Sequence, residues 1–122
     1  MKLDRENSAG NLIRGCANGQ VLVGSQAFEF PVIITIDRIV QDWTPAQCTV
    51  LTLDDLQPVL DLEPEVILLG TGSRQRFPPA MVTAAVLGRG IGIEVMDTAA
   101  ACRTYNVLAS EFRRVALALL IA

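Results

Sequence analysis

The sequence predicts an α/β domain, and two patterns support this prediction. Residues 65 to 106 alternate strand, loop and helix patterns. The apolar runs Val66 to Leu69 and Ile91 to Val95 flank a helix pattern over Pro79 to Leu87. Two strands joined by one helix in so few residues predict a right-handed βαβ unit with parallel strands. Residues 12 to 30 instead show short strand patterns between turn residues, which predicts a β-meander.

The meander is expected to contain three strands. They are predicted over Leu12 to Cys16, Gln20 to Val23 and Ala27 to Phe30. Asn18-Gly19 supplies the positive φ angles of a two-residue hairpin turn, so the first two strands should pair. Gly24-Ser25 provides the second turn.

Two further strands and a buried tryptophan are predicted after the meander. Val32 to Ile36 is a β-branched run typical of a strand covered on both faces, and Ile39 and Val40 begin another short strand. Trp43 is interpreted as a packed cover over the core rather than a stacking platform, because no second aromatic residue stands beside it.

The segment from Thr52 to Leu62 has a helix pattern with two conflicting signals. Thr52 and Asp55 are placed as a capping box, which predicts a helix start. Pro58 would remove a helical hydrogen bond, so we expect a separate first turn and a short helix. The acidic residues of this segment lack the spacing of a calcium loop and are interpreted as a solvated face.

The last predicted elements are a helix over Ala99 to Glu111 and a buried strand over Val115 to Ile121. The apolar stripe of this helix would consist of Ala101, Tyr105, Leu108 and Phe112.

Length and composition limit the function classes. The 122 residues fit one domain, which we expect over residues 11 to 122 after a flexible terminus over residues 1 to 10. Ten Lys plus Arg against thirteen Asp plus Glu give a net charge of -3, which disfavours nucleic acid as a partner. The absence of His removes the usual general base and metal ligand. We therefore predict no metal and no cofactor, and favour a non-enzymatic role without excluding catalysis.

The cysteines predict a reducing, cytoplasmic setting. Cys16, Cys48 and Cys102 are odd in number and widely spaced, which fits free thiols better than a disulfide framework or a zinc site. Each is interpreted as a small buried hydrophobic residue. The polar start MKLDRENSAG predicts neither a secretory signal nor a transit peptide, and VALALLIA is too short to cross a membrane.

The loop after the first parallel strand is one candidate site. Gly70, Thr71 and Gly72 precede Arg74, and this arrangement would present backbone N–H groups and positive charge to an anion. The glycines match neither a dinucleotide fingerprint nor a P-loop. A tight turn without a ligand is the competing interpretation.

Glu94 is the second candidate. Strand alternation sends Ile91, Ile93 and Val95 to one face and Glu94 to the other, so we expect a buried carboxylate within an apolar strand. Such a group must be paired, hydrogen-bonded or protonated. It would serve either as a structural partner of an Arg or helix N-terminus, or as a ligand-binding or acid–base carboxylate.

Side chains on the following helix complete the candidate pocket. Thr98, Cys102 and Asn106 recur at intervals of four and share one side of the helix. They would face the crevice that open α/β sheets form beyond the carboxyl ends of their strands, where Thr98, Thr104 and Asn106 would orient a ligand. As a nucleophile, Cys102 would lack a His to activate it.

A family resemblance adds to this interpretation. Its residues are Glu65-Val66, the run Gly70 to Arg74, Gly92 with Glu94, Met96 to Thr98, Ala101, Thr104 to Asn106, Leu108 and Glu111 with Arg113 to Val115. With these, the chain resembles a family of small domains of unknown function that includes the mitochondrial complex I (NADH:ubiquinone oxidoreductase) assembly factor 3 and an adipogenesis-associated cytosolic protein.

The resemblance implies a three-layer α/β fold with a mixed central sheet and an extra β layer from the N-terminal half. Glycine usually follows the glutamate matched by Glu111, and Phe112 stands there instead. Phe in a left-handed helix end costs about 1 kcal/mol, so either that cost or a different exit is expected.

Two functions follow. The first is a non-catalytic binding or assembly module with a protein partner, linked to respiratory or other membrane complexes by analogy and not inserted in the membrane. The alternative is a protein or enzyme that binds an anionic small molecule with Glu94 and the loop from Gly70 to Arg74.

Overall fold

The computed structural model describes residues 10 to 121 and contains two β-sheets with helices on both faces of the larger one. The predicted flexible terminus, apart from Gly10, lies outside the described residues.

The predicted β-meander is confirmed. Its antiparallel strands are β1 (Ile13–Ala17), β2 (Gln20–Val23) and β3 (Gln26–Glu29). Asn18 and Gly19 have φ angles of 55° and 75°, as a hairpin of this type requires.

The larger sheet is mixed, as predicted. Its strands are β4 (Val32–Ile34), β5 (Ile39–Val40), β6 (Val66–Gly70), β7 (Gly92–Met96) and β8 (Val115–Leu119), in the order β5-β4-β8-β6-β7. β6 is parallel to both β7 and β8, whereas β4 is antiparallel to β5 and β8. β7 therefore forms one edge of this sheet.

The helices are α1 (Gln57–Leu60), α2 (Ala80–Gly88) and α3 (Thr98–Ser110). The Thr52–Asp55 capping box is present, since each backbone N–H donates to the side chain of the other residue, at 2.9 and 3.1 Å. A separate 3-10 turn over Asp54–Leu56 precedes α1, which has Pro58 in its first turn. The prediction for Pro58 is thus confirmed.

The central sheet separates two apolar cores, which gives the three layers that the resemblance implies. Side chains such as Val66 and Leu68 face α3 and the meander. Their neighbours Ile67 and Leu69 face α1, α2 and Trp43. Trp43 is 4% exposed and its indole N–H donates to the backbone oxygen of Asp55 at 2.7 Å, so it covers the core as expected.

The predicted apolar stripe of α3 is wrong at its last member. Phe112 lies beyond the helix and is 94% exposed. Its N–H donates to the oxygen of Ala109 and that of Arg113 donates to Leu108, which is the Schellman pattern of a helix end. Phe112 has a φ of 64° there, in the left-handed region that favours glycine. Phe112 therefore adopts the backbone conformation that a glycine usually has at a helix end.

Replacing Phe112 with Gly should raise the free energy of unfolding by about 1 kcal/mol, because a left-handed conformation penalises a residue with a Cβ. Urea denaturation measures the change. Glu111→Gly is the matched control, since Glu111 has a φ of -94° and glycine brings no relief there. Equal destabilisation by both variants would contradict the left-handed exit.

Candidate functional site

A cavity of about 540 Å³ lies where the parallel strands end, and we call it the strand-end cavity. Each of β6, β7 and β8 contributes residues that follow its carboxyl end, and the meander contributes its first hairpin turn. The lining residues are Cys16, Ala17, Asn18, Gly19, Phe30, Gly72, Ser73, Asp97, Thr98, Ala99 and Ile121.

The chain topology explains the position of this cavity. The chain leaves β6 toward α2, which packs on one face of the sheet through Val82 and Val86. It leaves β7 toward α3, which packs on the other face. Two neighbouring strands whose connections go to opposite faces leave a crevice between them, and this is where open α/β sheets bind ligands.

Internal hydrogen bonds hold the glycine loop. The N–H of Thr71 donates to the oxygen of Met96 at 2.9 Å, and the N–H of Gly72 donates to Oγ1 of Thr98 at 2.8 Å. The N–H of Thr98 in turn donates to the oxygen of Gly72 at 2.8 Å. The loop amides of Thr71 and Gly72 are therefore already paired within the protein, as the tight-turn interpretation requires.

Gly70 permits a close approach between β6 and its neighbours. A Cβ at this position would lie 2.6 Å from Cδ2 of the buried Leu119 and 3.3 Å from Oγ1 of Thr98. The absence of a side chain here thus places the loop against α3.

Thr71 shapes the rest of the loop. Its hydroxyl is buried and lies 2.7 Å from the oxygen of Arg74, and it accepts a bond from the N–H of Arg76 at 3.1 Å. Residues 73 to 77, which include Arg74 and Arg76, are exposed.

The prediction that Glu94 is a buried carboxylate is wrong. Alternation along β7 is as expected, since Ile91, Ile93 and Val95 pack against the core of α1 and α2. Glu94, opposite Leu68 in the register, points to the other face. It is exposed because β7 is the edge strand. Glu94 is absent from the residues that line the strand-end cavity.

The helix face of Thr98, Cys102 and Asn106 is covered by the meander. Oδ1 of Asn106 accepts a bond from the N–H of Ile13 at 2.8 Å, and its Nδ2 donates to the oxygen of Ile13 at 2.7 Å. Asn106 thereby completes the backbone pairing of β1. Thr104 lies on another side, where its hydroxyl contacts the sulfur of Met96 at 3.5 Å.

Cys102 is 4% exposed, and burial, together with the nearby Cys16 thiol, raises its pKa. A thiol that stays protonated is a poor nucleophile. Burial also raises the pKa of Cys48, whose thiol donates to the oxygen of Arg76 at 3.6 Å. Cys48 and Cys102 are buried as predicted, whereas Cys16 is half-buried and reaches the cavity wall.

Only two of the predicted pocket residues, Gly72 and Thr98, line the strand-end cavity. No local pattern in the sequence indicates that Cys16, Phe30 or Ile121 join them there. The Asn18-Gly19 turn was visible in the sequence, but its position over the strand ends depends on contacts between distant segments. Within residues 10 to 121, no three His, Cys, Asp or Glu side chains converge as metal ligands would.

Comparison with known proteins agrees with the fold. The family described as a protein of unknown function (DUF498/DUF598) matches residues 13 to 120. The chain is 34% identical to the NADH dehydrogenase (ubiquinone) 1 alpha subcomplex assembly factor 3 of Danio rerio, over 97% of this chain and 68% of that protein. The resemblance drawn from the residues is thus confirmed.

Two solved structures are similar throughout. The NMR structure of a Xanthomonas campestris protein is 47% identical, with a TM-score of 0.79 over 89% of this chain and 83% of that one. The crystal structure of a Bordetella parapertussis protein is 35% identical, with a TM-score of 0.83 over 93% and 97%.

In the part of the chain that the structure describes, no helix is long and apolar enough to cross a membrane.

Asn106→Ala should lower the free energy of unfolding by roughly 1–3 kcal/mol, because it leaves the N–H and oxygen of Ile13 without their partner. Asn106→Asp should also destabilise, since it keeps the acceptor but loses the donor. Thermal and urea unfolding measure both, and Val107→Ala on the exposed helix face is the control. Full stability of Asn106→Ala would show that its role is not structural.

Thr71→Val should lower the free energy of unfolding by roughly 1–3 kcal/mol, because the buried hydroxyl bonds to the oxygen of Arg74 and the N–H of Arg76. It should also speed amide hydrogen exchange at Arg76, whose N–H loses its acceptor. Thr83→Val is the control, since Thr83 bonds only to its own exposed helix turn. Unchanged exchange at Arg76 would contradict the role of Thr71 in holding the loop.

Proposed function

The chain belongs to the family of proteins of unknown function DUF498/DUF598, and from this membership we propose that it is a non-catalytic assembly module that binds a protein partner. A relative named as an assembly factor of NADH dehydrogenase supports this role. By analogy, the partner is a subunit of a respiratory or other membrane complex. The three free cysteines favour a reducing, cytoplasmic setting.

The observation that supports this proposal best is an exposed surface beside the glycine loop. We call it the loop surface and define it by Arg74, Arg76, Phe77 and Met81. Phe77 and Met81 are 64% and 76% exposed, although both are large apolar side chains. Such residues with neighbouring arginines are enriched at the centres of protein interfaces.

The charge of the loop surface indicates the chemistry of the partner. No acidic residue lies between Glu65 and Glu94, so this stretch is basic in a chain whose net charge is -3. Within residues 10 to 121 the ion pair joins Glu65 and Arg113, which leaves Arg74 and Arg76 without a carboxylate partner there. An apolar segment that carries acidic residues would complement this surface.

The fold holds the loop surface in place. Nε2 of Gln75 donates to the oxygen of Val95 on the edge strand at 2.8 Å, and the Thr71 hydroxyl fixes the neighbouring backbone. Pro78, the residue after Phe77, is buried. A preformed surface loses less conformational entropy on binding.

The anionic-ligand alternative stays a prediction. Its two proposed elements do not meet in the strand-end cavity, because Glu94 and Arg74 are both absent from its lining. Among the residues that the structure describes, no arginine or lysine lines that cavity.

Affinity capture from native cells should return a reproducible partner that Met81→Ser and Arg74→Glu lose. Leu87→Ser is the matched control, because Leu87 is 57% exposed at the opposite end of the same helix. With the purified partner, each loop-surface variant should bind at least about tenfold more weakly, a loss of roughly 1.4 kcal/mol. The absence of any enriched protein, or equal loss by Leu87→Ser, would contradict the proposal.

A further inference from the structure

The strand-end cavity has properties of its own that the loop surface does not explain. Its volume of about 540 Å³ lies within the range of small-molecule sites, roughly 300–1,000 Å³. It is built from five separate segments of the chain, so the tertiary structure forms it before any ligand arrives.

The walls are mainly apolar or small. Phe30, Ile121, Cys16, Ala17 and Ala99 supply apolar surface from different segments. A volume of this size would hold on the order of 18 water molecules at 30 Å³ each, and apolar walls offer those waters few hydrogen bonds. Displacing such poorly bonded water with an apolar group favours binding.

Several polar groups in the wall are paired already. The N–H of Gly72 donates to Oγ1 of Thr98, and Oδ1 of Asp97 accepts from the N–H of Ala100 at 2.8 Å. The N–H of Phe30 donates to the oxygen of Gly19 at 3.0 Å. The side chains of Asn18 and Ser73 also line the cavity, so it suits a largely apolar ligand with a small neutral polar end.

The charge of the lining disfavours anions. Within residues 10 to 121, Asp97 is the one carboxylate of the lining, and no basic side chain accompanies it. The N-terminus of α3 offers a partial positive charge, but Asp97 already caps it, so an anionic ligand would meet the like charge of this carboxylate.

We propose that the strand-end cavity binds an uncharged, largely apolar small molecule. The site is distinct from the proposed docking of a protein on the loop surface, because Arg74, Arg76, Phe77 and Met81 do not line it. Specificity against anions comes from Asp97, and the apolar contact comes from Phe30, Ile121 and Ala99.

Titration with the neutral fluorescent dye N-phenyl-1-naphthylamine tests the site. Wild type should bind the dye, whereas Ala99→Phe and Ala17→Phe should bind it at least about tenfold more weakly, because each fills the cavity from an exposed position. Val107→Phe is the matched control on α3, two turns from Ala99 and outside the lining. Unchanged dye affinity in both cavity variants would overturn the proposal.

The charge preference has its own test. Dodecanol should displace the dye more effectively than dodecanoate. Asp97→Asn keeps a good helix cap and removes the charge. It should therefore strengthen the binding of dodecanoate roughly fivefold or more and leave the binding of dodecanol unchanged. Equal competition by both compounds in wild type would contradict the assignment to uncharged ligands.

Alkylation distinguishes the cavity from other apolar surfaces. Iodoacetamide should modify Cys16 faster than the buried Cys48 and Cys102, and dodecanol should slow only the Cys16 reaction. Dye binding without protection of Cys16 would place the dye elsewhere and overturn the proposal. Met81→Ser should leave dye binding and the protection of Cys16 unchanged, so this test is independent of protein docking. Loss of dye binding in Met81→Ser would assign the dye to the loop surface and overturn the proposal.

Discussion

The contact between α3 and β1 determines how the two sheets are arranged. Asn106 bonds to both backbone groups of Ile13, and the Tyr105 hydroxyl donates to the oxygen of Asn11 at 2.6 Å. Tyr105 is fully buried, and that burial raises its pKa, so the phenol stays a donor. Through these bonds the meander is fixed to a helix that itself packs on the central sheet. The first hairpin turn is thereby placed over the ends of the parallel strands.

The same helix connects the fold to both proposed sites. Its first turn lies in the wall of the strand-end cavity and is bonded to the glycine loop through Thr98 and Gly72. That loop continues into the exposed segment with Arg74, Arg76 and Phe77. An apolar ligand in the cavity and a protein on the loop surface would therefore contact consecutive parts of one loop, although different residues bind each.

The family relation and the local geometry support different parts of the functional picture. The relation to a named assembly factor supports binding of a protein, but the name of a relative identifies no surface. The exposed Phe77 and Met81 identify the loop surface by their chemistry. The cavity is identified by its shape. Among the described residues its lining contains Asp97 and no basic residue, so it does not support the anionic ligand that the glycines and Arg74 predict.

The sequence by itself determined the strands, turns and helices, because their signals are local. Asn18-Gly19, the Thr52–Asp55 capping box and the effect of Pro58 each depend on residues within a few positions of one another. Alternation also showed correctly that Ile93 and Val95 share a face. It did not show that Glu94 would be exposed, because coverage of the opposite face depends on which strand lies at the edge of the sheet. The left-handed conformation of Phe112 likewise depends on the direction in which the chain leaves α3 to reach β8. The strand-end cavity joins residues as distant as Cys16 and Ile121, and only the tertiary structure brings such segments together.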